Sequence, residues 1–448
     1  VAKSQRGSLT RIQSQARTAA RAVYEVSADV WASGKPADRL LAAYFRKHKK
    51  YGAQDRRLIS ETFFAVFRWW GWLRLLARDE AGMWERDAER ATQSVEWQSM
   101  LVGAHVLDTV ALHPVAAVWK DRVAEKRRTA SYVTCVGDKP LMERAEMMES
   151  LFGLSVRPHD LLPDWLREET GEMSYDLLEM LQRRPPLWLR TSHSTVDKAI
   201  SRLADEDLTA EAFPALLGAM RLVPTRVNLY ESATFKAGLV EIQDLGSQAI
   251  GAACSPAPGQ RWWDACAGAG GKSLQLASMM NEKGLVLATD IREYKLTDLR
   301  KRARRAHLSN IQAKPWDGKE IPGKPGSFHG VLVDAPCTCT GTWRRNPDAR
   351  WTMKREEIAA AVATQSEILE AVIPALRQMG VLVYATCSLC DAENEGVVQG
   401  FLDRHPEFSL DPMVHPLHGG MTEGMFRVTP TSFDCDAMFV ARMRRLRD

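Results

Sequence analysis

Two stretches of the chain are apolar without alternation and end abruptly in reactive groups. Gly380-Val-Leu-Val-Tyr-Ala-Thr386 runs into Cys387-Ser388, and Gly330-Val-Leu-Val333 runs into Asp334-Ala-Pro-Cys337. Short continuous apolar runs are the pattern of strands buried on both faces of a parallel sheet. Open α/β sheets present their reactive groups where strands run out at their carboxyl ends. The pattern therefore predicts two thiols delivered to one edge of a sheet. Residues 261–264, 285–289 and 311–314 read as further short strands, with helices predicted over 274–280, 295–305 and 391–402.

The first third has a different period. From residue 9 to 76 apolar side chains recur at three- and four-residue spacing, as in Val23, Tyr24 and Val26, Leu40, Leu41, Tyr44 and Phe45, and Phe63, Phe64, Val66 and Phe67. That is the face of a helix packed on other helices. Trp69-Trp70-Gly71-Trp72 continues this apolar face and reads as packing core rather than as a base-stacking platform. Helical texture persists to about residue 181 and changes at Pro185-Pro186. Residues 187–190, 222–224 and 227–229 then read as short strands and 196–203 as a helix. The chain is thus expected to be multi-domain: an all-α helical domain over 1–160, a helical and α+β connector over 161–237, and an α/β Rossmann-like domain over 238–448.

Composition narrows the classes. A hydrophobic share of 45% and a charged share of 26% are those of a soluble globular chain and argue against disorder. No apolar run is seen to approach the roughly 18 residues of a membrane span, and the basic, polar start lacks the apolar segment of a secretory signal. Eight cysteines in a long chain without secretory features point to reduced thiols in a cytoplasm. A monomer is expected. Net charge is only +4, but the basic residues cluster. Arg46, Lys47, Lys49, Lys50, Arg56 and Arg57 fall together in the helical domain, and Arg344 and Arg345 follow the Cys337 loop. Such clusters read either as solvated helix faces or as a surface tracking a phosphate backbone.

Candidate chemistry begins at residue 264. Asp264-Ala-Cys266-Ala267-Gly268-Ala269-Gly270-Gly271-Lys272-Ser273 is a glycine-rich strand-to-helix turn, where a ligand can approach the backbone closely. A phosphate loop requires glycine where Cys266 stands, and the strict dinucleotide pattern requires glycine where Ser273 stands, so neither matches. Asp290 ends the next strand, about 20 residues downstream, where an acid binds ribose hydroxyls. Asp317 follows the third strand. A glycine turn with terminal acids and no phosphate signature indicates a nucleoside without pyrophosphate, and S-adenosylmethionine fits. The thiols admit several readings. Cys337, Cys339, Cys387 and Cys390 could ligate zinc, although C-x-C is an unusual ligand spacing, and Cys387 with Cys390 could form a redox pair. The expectation here is no metal. Two cysteines also permit covalent catalysis on a cytosine: a thiolate adding at carbon 6 makes carbon 5 nucleophilic toward a sulfonium methyl group. Asp334 could then hold the base edge.

These motifs resemble those of the Sun-type (NSUN) RNA cytosine-5 methyltransferases over roughly residues 238–445. The match is carried by Gln243-Asp244-Leu-Gly-Ser247-Gln248, by the 264–273 loop, by Asp334-Ala-Pro336-Cys337-Thr338 through Arg344-Arg345-Asn346-Pro347-Asp348, by Thr386-Cys387-Ser388 with Glu393-Asn394-Glu395, and by the closing residues 436–442. Ala269 stands where proline is usual, Cys339 and Ala437 where glycine is usual, and Lys295 where arginine is common. The resemblance implies that Cys387 is the nucleophile and that Cys337 assists product release. It implies a cofactor and base pocket lined by residues 266–272 with Asp264, Asp290, Asp317 and Asp334, and a Lys272 that reaches both cofactor and base. The helical third, with Asp55-Arg56-Arg57 and Phe67-Arg68-Trp69-Trp70, is similar to the NusB-like RNA-binding domain of the bacterial RsmB branch, which implies a small-subunit ribosomal RNA substrate. The alternatives are the same chemistry on transfer RNA and a non-catalytic RNA-binding assembly factor.

Overall fold

In a computed structural model, which describes residues 2–77, 79, 82–84, 87–127, 133–191, 195–225 and 227–446, the chain forms two compact units. One comprises Val1–Arg183 with Trp343–Lys354, the other Arg184–Thr342 with Arg355–Asp448. The division does not follow the expected 160/161 and 237/238 boundaries, and packing gives the reason. Leu161, Leu166, Leu178 and Leu181, which lie in or beside the last helices before the break, are fully buried in the helical unit. Trp188, Leu216 and Ala219, from the expected connector, share one hydrophobic cluster with Leu245, Ile250 and Leu274 of the α/β unit.

The helical unit is built on Ala2–Ser33, Ala37–Lys47, Ala53–Arg68, Val95–Asp108, Pro114–Arg127 and Leu141–Phe152, with shorter helices after them. Its tryptophans act as core, with polar edges satisfied by backbone. Trp69, Trp70 and Trp72 are at most 1% exposed. The Trp97 and Trp119 indoles donate to the carbonyls of Ala20 and Ala16, at 3.1 and 3.0 Å, and so pin the first helix. Gly71 is needed between them, because a Cβ there would lie 1.9 Å from the Asp160 carbonyl oxygen.

Residues 343–354 leave the α/β unit and pack within the helical one. Arg350 is fully buried and donates to the carbonyls of Leu161 and Leu181, each at 3.0 Å, and to Gln182 Oε1 at 2.9 Å. Trp351 donates to the Phe67 carbonyl at 2.7 Å, and Asp348 accepts from the Ala37 N–H at 3.0 Å. Arg344 is 1% exposed, and its Nε donates to the Arg183 carbonyl at 3.3 Å. Its expected place on a phosphate-binding surface is thereby corrected: the side chain is buried and its Nε serves a backbone carbonyl of the helical unit.

The α/β unit has two main sheets. The smaller is antiparallel, with β1 (Leu187–Thr191), β2 (Ala210–Ala212), β3 (Ala219–Leu222) and β4 (Val240–Ile242) in the order β2-β3-β1-β4. The predicted strand at 227–229 is not formed. Leu229–Glu231 is a 3-10 turn, because the Asn228 side chain accepts from the Tyr230 N–H at 3.1 Å and bends the chain.

The larger sheet places β5 (Arg261–Asp264), β6 (Leu285–Asp290), β7 (Ile311–Pro315), β8 (Phe328–Asp334) and β9 (Leu376–Thr386) in the parallel order β9-β8-β5-β6-β7. β10 (Phe408–Leu410), β13 (Met425–Val428) and β14 (Met438–Arg445) close the β9 side antiparallel, and β11 (Met413–Val414) pairs with β12 (Met421–Thr422) as a separate ribbon. Alternation along β9 feeds both faces: Val381, Val383 and Ala385 enter one core, Leu382 and Tyr384 the other. Helix Glu356–Val372 covers the second face. The segment Glu356–Ala375 is long and apolar enough to cross a membrane, contrary to the sequence expectation, but Leu369, Val372 and Ala375 are spent in the core against the sheet.

Candidate active site

The chain order reverses beside β5. From β5 it steps to β6 and β7 on one side, then returns to β8 on the other. Such a switch point opens a crevice at the carboxyl ends of the strands. β5 brings Asp264 there, β6 Asp290, β8 Asp334 with the Cys337 loop, and β9 Cys387.

The loop after β5 is shaped by Gly268 and Gly270, at φ of 53° and 86°. A Cβ on Gly270 would lie 2.4 Å from Leu299, whereas a Cβ on Gly268 or Gly271 would meet nothing within 4 Å. The loop therefore packs tightly behind and stays open in front. Ala267 N–H donates to the Thr289 carbonyl at 2.8 Å, and the Ala269 carbonyl accepts from Arg302 at 2.9 Å. Asp264 accepts from Ser273 through Oδ2 at 2.6 Å, while its buried Oδ1 has no partner. Burial pushes this carboxyl up to about 7, against the Ser273 hydrogen bond. Asp290 differs. Burial opposes its charge, but hydrogen bonds from Arg292 (2.8 Å from the backbone N–H) and from the Gly268 N–H (2.9 Å) hold it below the usual carboxylate range. Cys266 is half-buried, and burial raises its thiol pKa. Asp317 is exposed beyond β7 and accepts from the Lys319 N–H at 3.2 Å.

Lys272 Nζ lies 2.7 Å from Asp334 Oδ2, with side chains 12% and 31% exposed. Burial works against the Lys272 charge, yet Asp334 outweighs it and the ammonium pKa is raised. For Asp334 burial pushes upward and Lys272 pulls downward. The pair forms a charged floor beside the thiols. Cys337 Sγ and Cys387 Sγ are 3.4 Å apart, and Cys339 Sγ lies 4.0 Å from Cys337 Sγ. Cys390 is buried apart from this group, so the four-thiolate arrangement weighed from the sequence is not formed. Hydrogen bonding to Cys337 and Cys339, together with burial, raises the Cys387 thiol pKa, whereas hydrogen bonding to Cys337 and Cys387 lowers that of Cys339.

Glu393 holds the two thiol loops together, a part that no spacing in the sequence announces. It is fully buried. Its carboxylate accepts from the Thr338 N–H at 2.9 Å, from Gln365 at 3.0 Å, and from the Thr338 and Ser388 hydroxyls. Asn394 donates to the Ser388 carbonyl at 3.0 Å. The Gly341 N–H donates to the Cys387 carbonyl at 2.8 Å, and a Cβ on Gly341 would lie 2.5 Å from the Ala437 carbonyl oxygen. The sequence marks Glu393 only as part of the Glu393-Asn394-Glu395 match that follows Cys387, without its role, and its partners span residues 338 to 388.

The basic residues of the helical unit are exposed at Arg46, Lys47, Lys49, Lys50, Arg56 and Arg57. Lys50 lines a groove of about 870 Å³ with Arg17, Arg21, Arg122 and Lys126. Arg57 is paired with Glu61, and Arg56 donates to the Tyr51 carbonyl at 3.0 Å. Arg345 is exposed within the 343–354 segment.

Comparison with known proteins agrees with this geometry. Residues 252–444 match the family model described as 16S rRNA methyltransferase RsmB/F. Ribosomal RNA small subunit methyltransferase B of Yersinia pseudotuberculosis is 30% identical over 380 residues, covering 81% of this chain and 85% of that protein, and the Yersinia pestis protein gives the same figures. Among solved structures, PH0851 covers 95% of this chain at a TM-score of 0.72 and 23% identity, with 98% of its own chain aligned. NSun6 from Pyrococcus horikoshii, solved with SFG, covers 64% of this chain and 97% of its own at a TM-score of 0.55 and 18% identity. These two likenesses establish the fold. The chain belongs to the RsmB/F family of 16S rRNA methyltransferases, S-adenosylmethionine-dependent enzymes acting on ribosomal RNA.

Proposed function

We propose that the protein transfers a methyl group from S-adenosylmethionine to carbon 5 of a cytosine in small-subunit ribosomal RNA, with Cys387 as nucleophile and Cys337 assisting release. The observation that carries this reading is the pair of sulfurs 3.4 Å apart at the ends of adjacent strands, beside the Lys272–Asp334 ion pair. A metal-free reaction in a monomer suffices, and two thiols that must stay reduced suit a cytoplasm.

The cofactor pocket fits an adenosyl group. Residues 266–272 leave an open cradle at Gly268 and Gly271, the buried Asp264 Oδ1 is an acceptor without a donor, and Asp290 offers a carboxylate to ribose hydroxyls, with Asp317 further out. The cofactor supplies an electrophilic methyl group. Cys387 gives up its proton and its thiolate adds to carbon 6 of the ring, breaking the 5,6 double bond and placing electron density at carbon 5. Asp334 holds the base edge, with Lys272 stabilising charge next to it. After methylation the carbon 5 proton passes to a base, with Cys337 assisting. The freed electron pair restores the double bond, and Cys387 leaves as thiolate.

The exposed cations of the helical unit, Arg46, Lys47, Lys49, Lys50, Arg56 and Arg57, bind the RNA backbone. The small-subunit reading is favoured over transfer RNA by the names of the relatives. The test is transfer of radiolabelled methyl to ribosomal and transfer RNA pools, with bisulfite mapping of the product. One labelled ribosomal cytosine is expected, lost in Cys387→Ala; label that persists in that variant overturns the nucleophile assignment.

A further inference from the structure

Cys339 takes no part in the reaction just described, yet it brings a third sulfur to it. Its φ is 57°, a left-handed backbone that glycine adopts without steric cost. The three sulfurs of Cys337, Cys339 and Cys387 all lie within 4.8 Å of one another, with two separations of 3.4 and 4.0 Å. Three thiolates on a tetrahedral zinc, at about 2.3 Å each, stand about 3.8 Å apart. The two separations of 3.4 and 4.0 Å already bracket that value, and the third is no more than 4.8 Å.

The frame is also preformed. The Cys339 carbonyl accepts from the Thr342 N–H and hydroxyl, each at 2.9 Å, and the Cys387 carbonyl accepts from Gly341 at 2.8 Å. Cys339 is exposed, which gives a metal its entry path. Sulfur ligands alone select soft or borderline ions such as zinc, cadmium or copper(I) over magnesium or calcium.

We propose that Cys337, Cys339 and Cys387 form a three-thiolate site for one thiophilic cation, zinc or cadmium, which shuts the enzyme off by occupying its nucleophile. With three protein ligands the fourth position stays open, so the ion remains exchangeable and inhibition reversible by chelator. Metal binding rests on the sulfur geometry alone; inhibition rests in addition on Cys387 being the nucleophile.

The test uses the full-length, reduced, metal-free protein titrated with cadmium, read by thiolate-to-cadmium charge-transfer absorption and by loss of thiols reactive toward a dye. One equivalent is expected to saturate the band and protect three thiols. Losing a hydrogen bond that supports a metal ligand already costs about 10–100-fold in affinity, so Cys339→Ser is expected to bind at least about 100-fold more weakly. Cys339→Gly, which suits the left-handed backbone, guards against misfolding and should match it. In chelator both variants are expected to retain RNA methylation, at a rate that registers the lost Cys339–Cys387 contact, and in both that activity should resist zinc. Wild type that shows no one-to-one band, or a Cys339→Ser protein that binds equally well, overturns the site. Loss of the band in Cys390→Ser overturns the ligand set. Methylation that persists in Cys387→Ala, while the wild-type protein still binds cadmium one-to-one, instead removes the proposed reaction mechanism and leaves the metal site standing.

Discussion

Cys337 and Cys387 are the same side chain given different work by where their loops begin. Cys387 follows β9 directly, with its carbonyl tied to Gly341, while Cys337 sits on a loop held by Glu393 through Thr338. If attack and release are divided between them, Cys337→Ala still attacks but fails to let go. A covalent protein–RNA species is expected to accumulate and run slowly on a denaturing gel; a variant that turns over without it counts against the division. Asp264 supports a second residue-scale prediction. Its carboxyl, near 4 when unfolded, is raised by burial to about 7 in the fold. The folded state thus binds a proton that the unfolded state has lost, so this group stabilises the fold at low pH. Its contribution fades as pH rises from about 4 through 7. Asp264→Asn is expected to flatten that part of the melting-temperature profile measured by calorimetry. The thiols were legible because an apolar run ends at each. Glu393 was not, because its meaning lies in Thr338, Gln365 and Ser388, up to 55 residues away in the chain.

At the scale of elements, the legible ones are those whose environment is uniform along their length. β8 and β9 are buried on both faces and read as unbroken apolar runs, and the 9–76 helices carry one stripe each. Elements whose partners lie elsewhere were misread. Arg344 and Arg345 read as part of a basic cluster, yet Arg344 is buried in the helical unit, as is Arg350 in the same 343–354 segment. An arginine run does not reveal whether its donors meet phosphate or carbonyl. Arg350 meets carbonyls, with burial drawing its pKa down to about 9 and no acid beside it. Arg350→Ala leaves those carbonyls unpaired in the core and is expected to destabilise the helical unit by about 3–5 kcal/mol, measured by denaturant unfolding. Arg350→Lys is expected to restore little, since an ammonium is a compact charge that cannot span acceptors set out for a planar fork.

Over the whole molecule, net charge of +4 conceals an uneven distribution. In the α/β unit many cations are committed: Arg302 and Arg305 to Glu241, Arg292 to Asp290, Lys272 to Asp334. On the helical unit Arg46 and Lys47 are exposed at the end of helix Ala37–Lys47, Lys49 and Lys50 in the turn after it, and Lys50 opens onto a groove with four further basic side chains. Composition could not separate these two populations, because committed and available cations count alike. If the second set carries RNA, its contribution is the release of counterions from phosphates, and that has a signature independent of catalysis. The logarithm of affinity falls linearly with the logarithm of salt, by about 0.7 to 0.9 for each phosphate neutralised. Replacing Arg46, Lys47, Lys49 and Lys50 together by glutamine is expected to weaken RNA binding at low salt and to reduce that slope by up to about 3, while cofactor affinity stays unchanged. Filter binding across a salt series reads both quantities. A slope unaltered by the fourfold change would mean that these residues are a solvated helix face, and that the RNA is held by other cations of the chain.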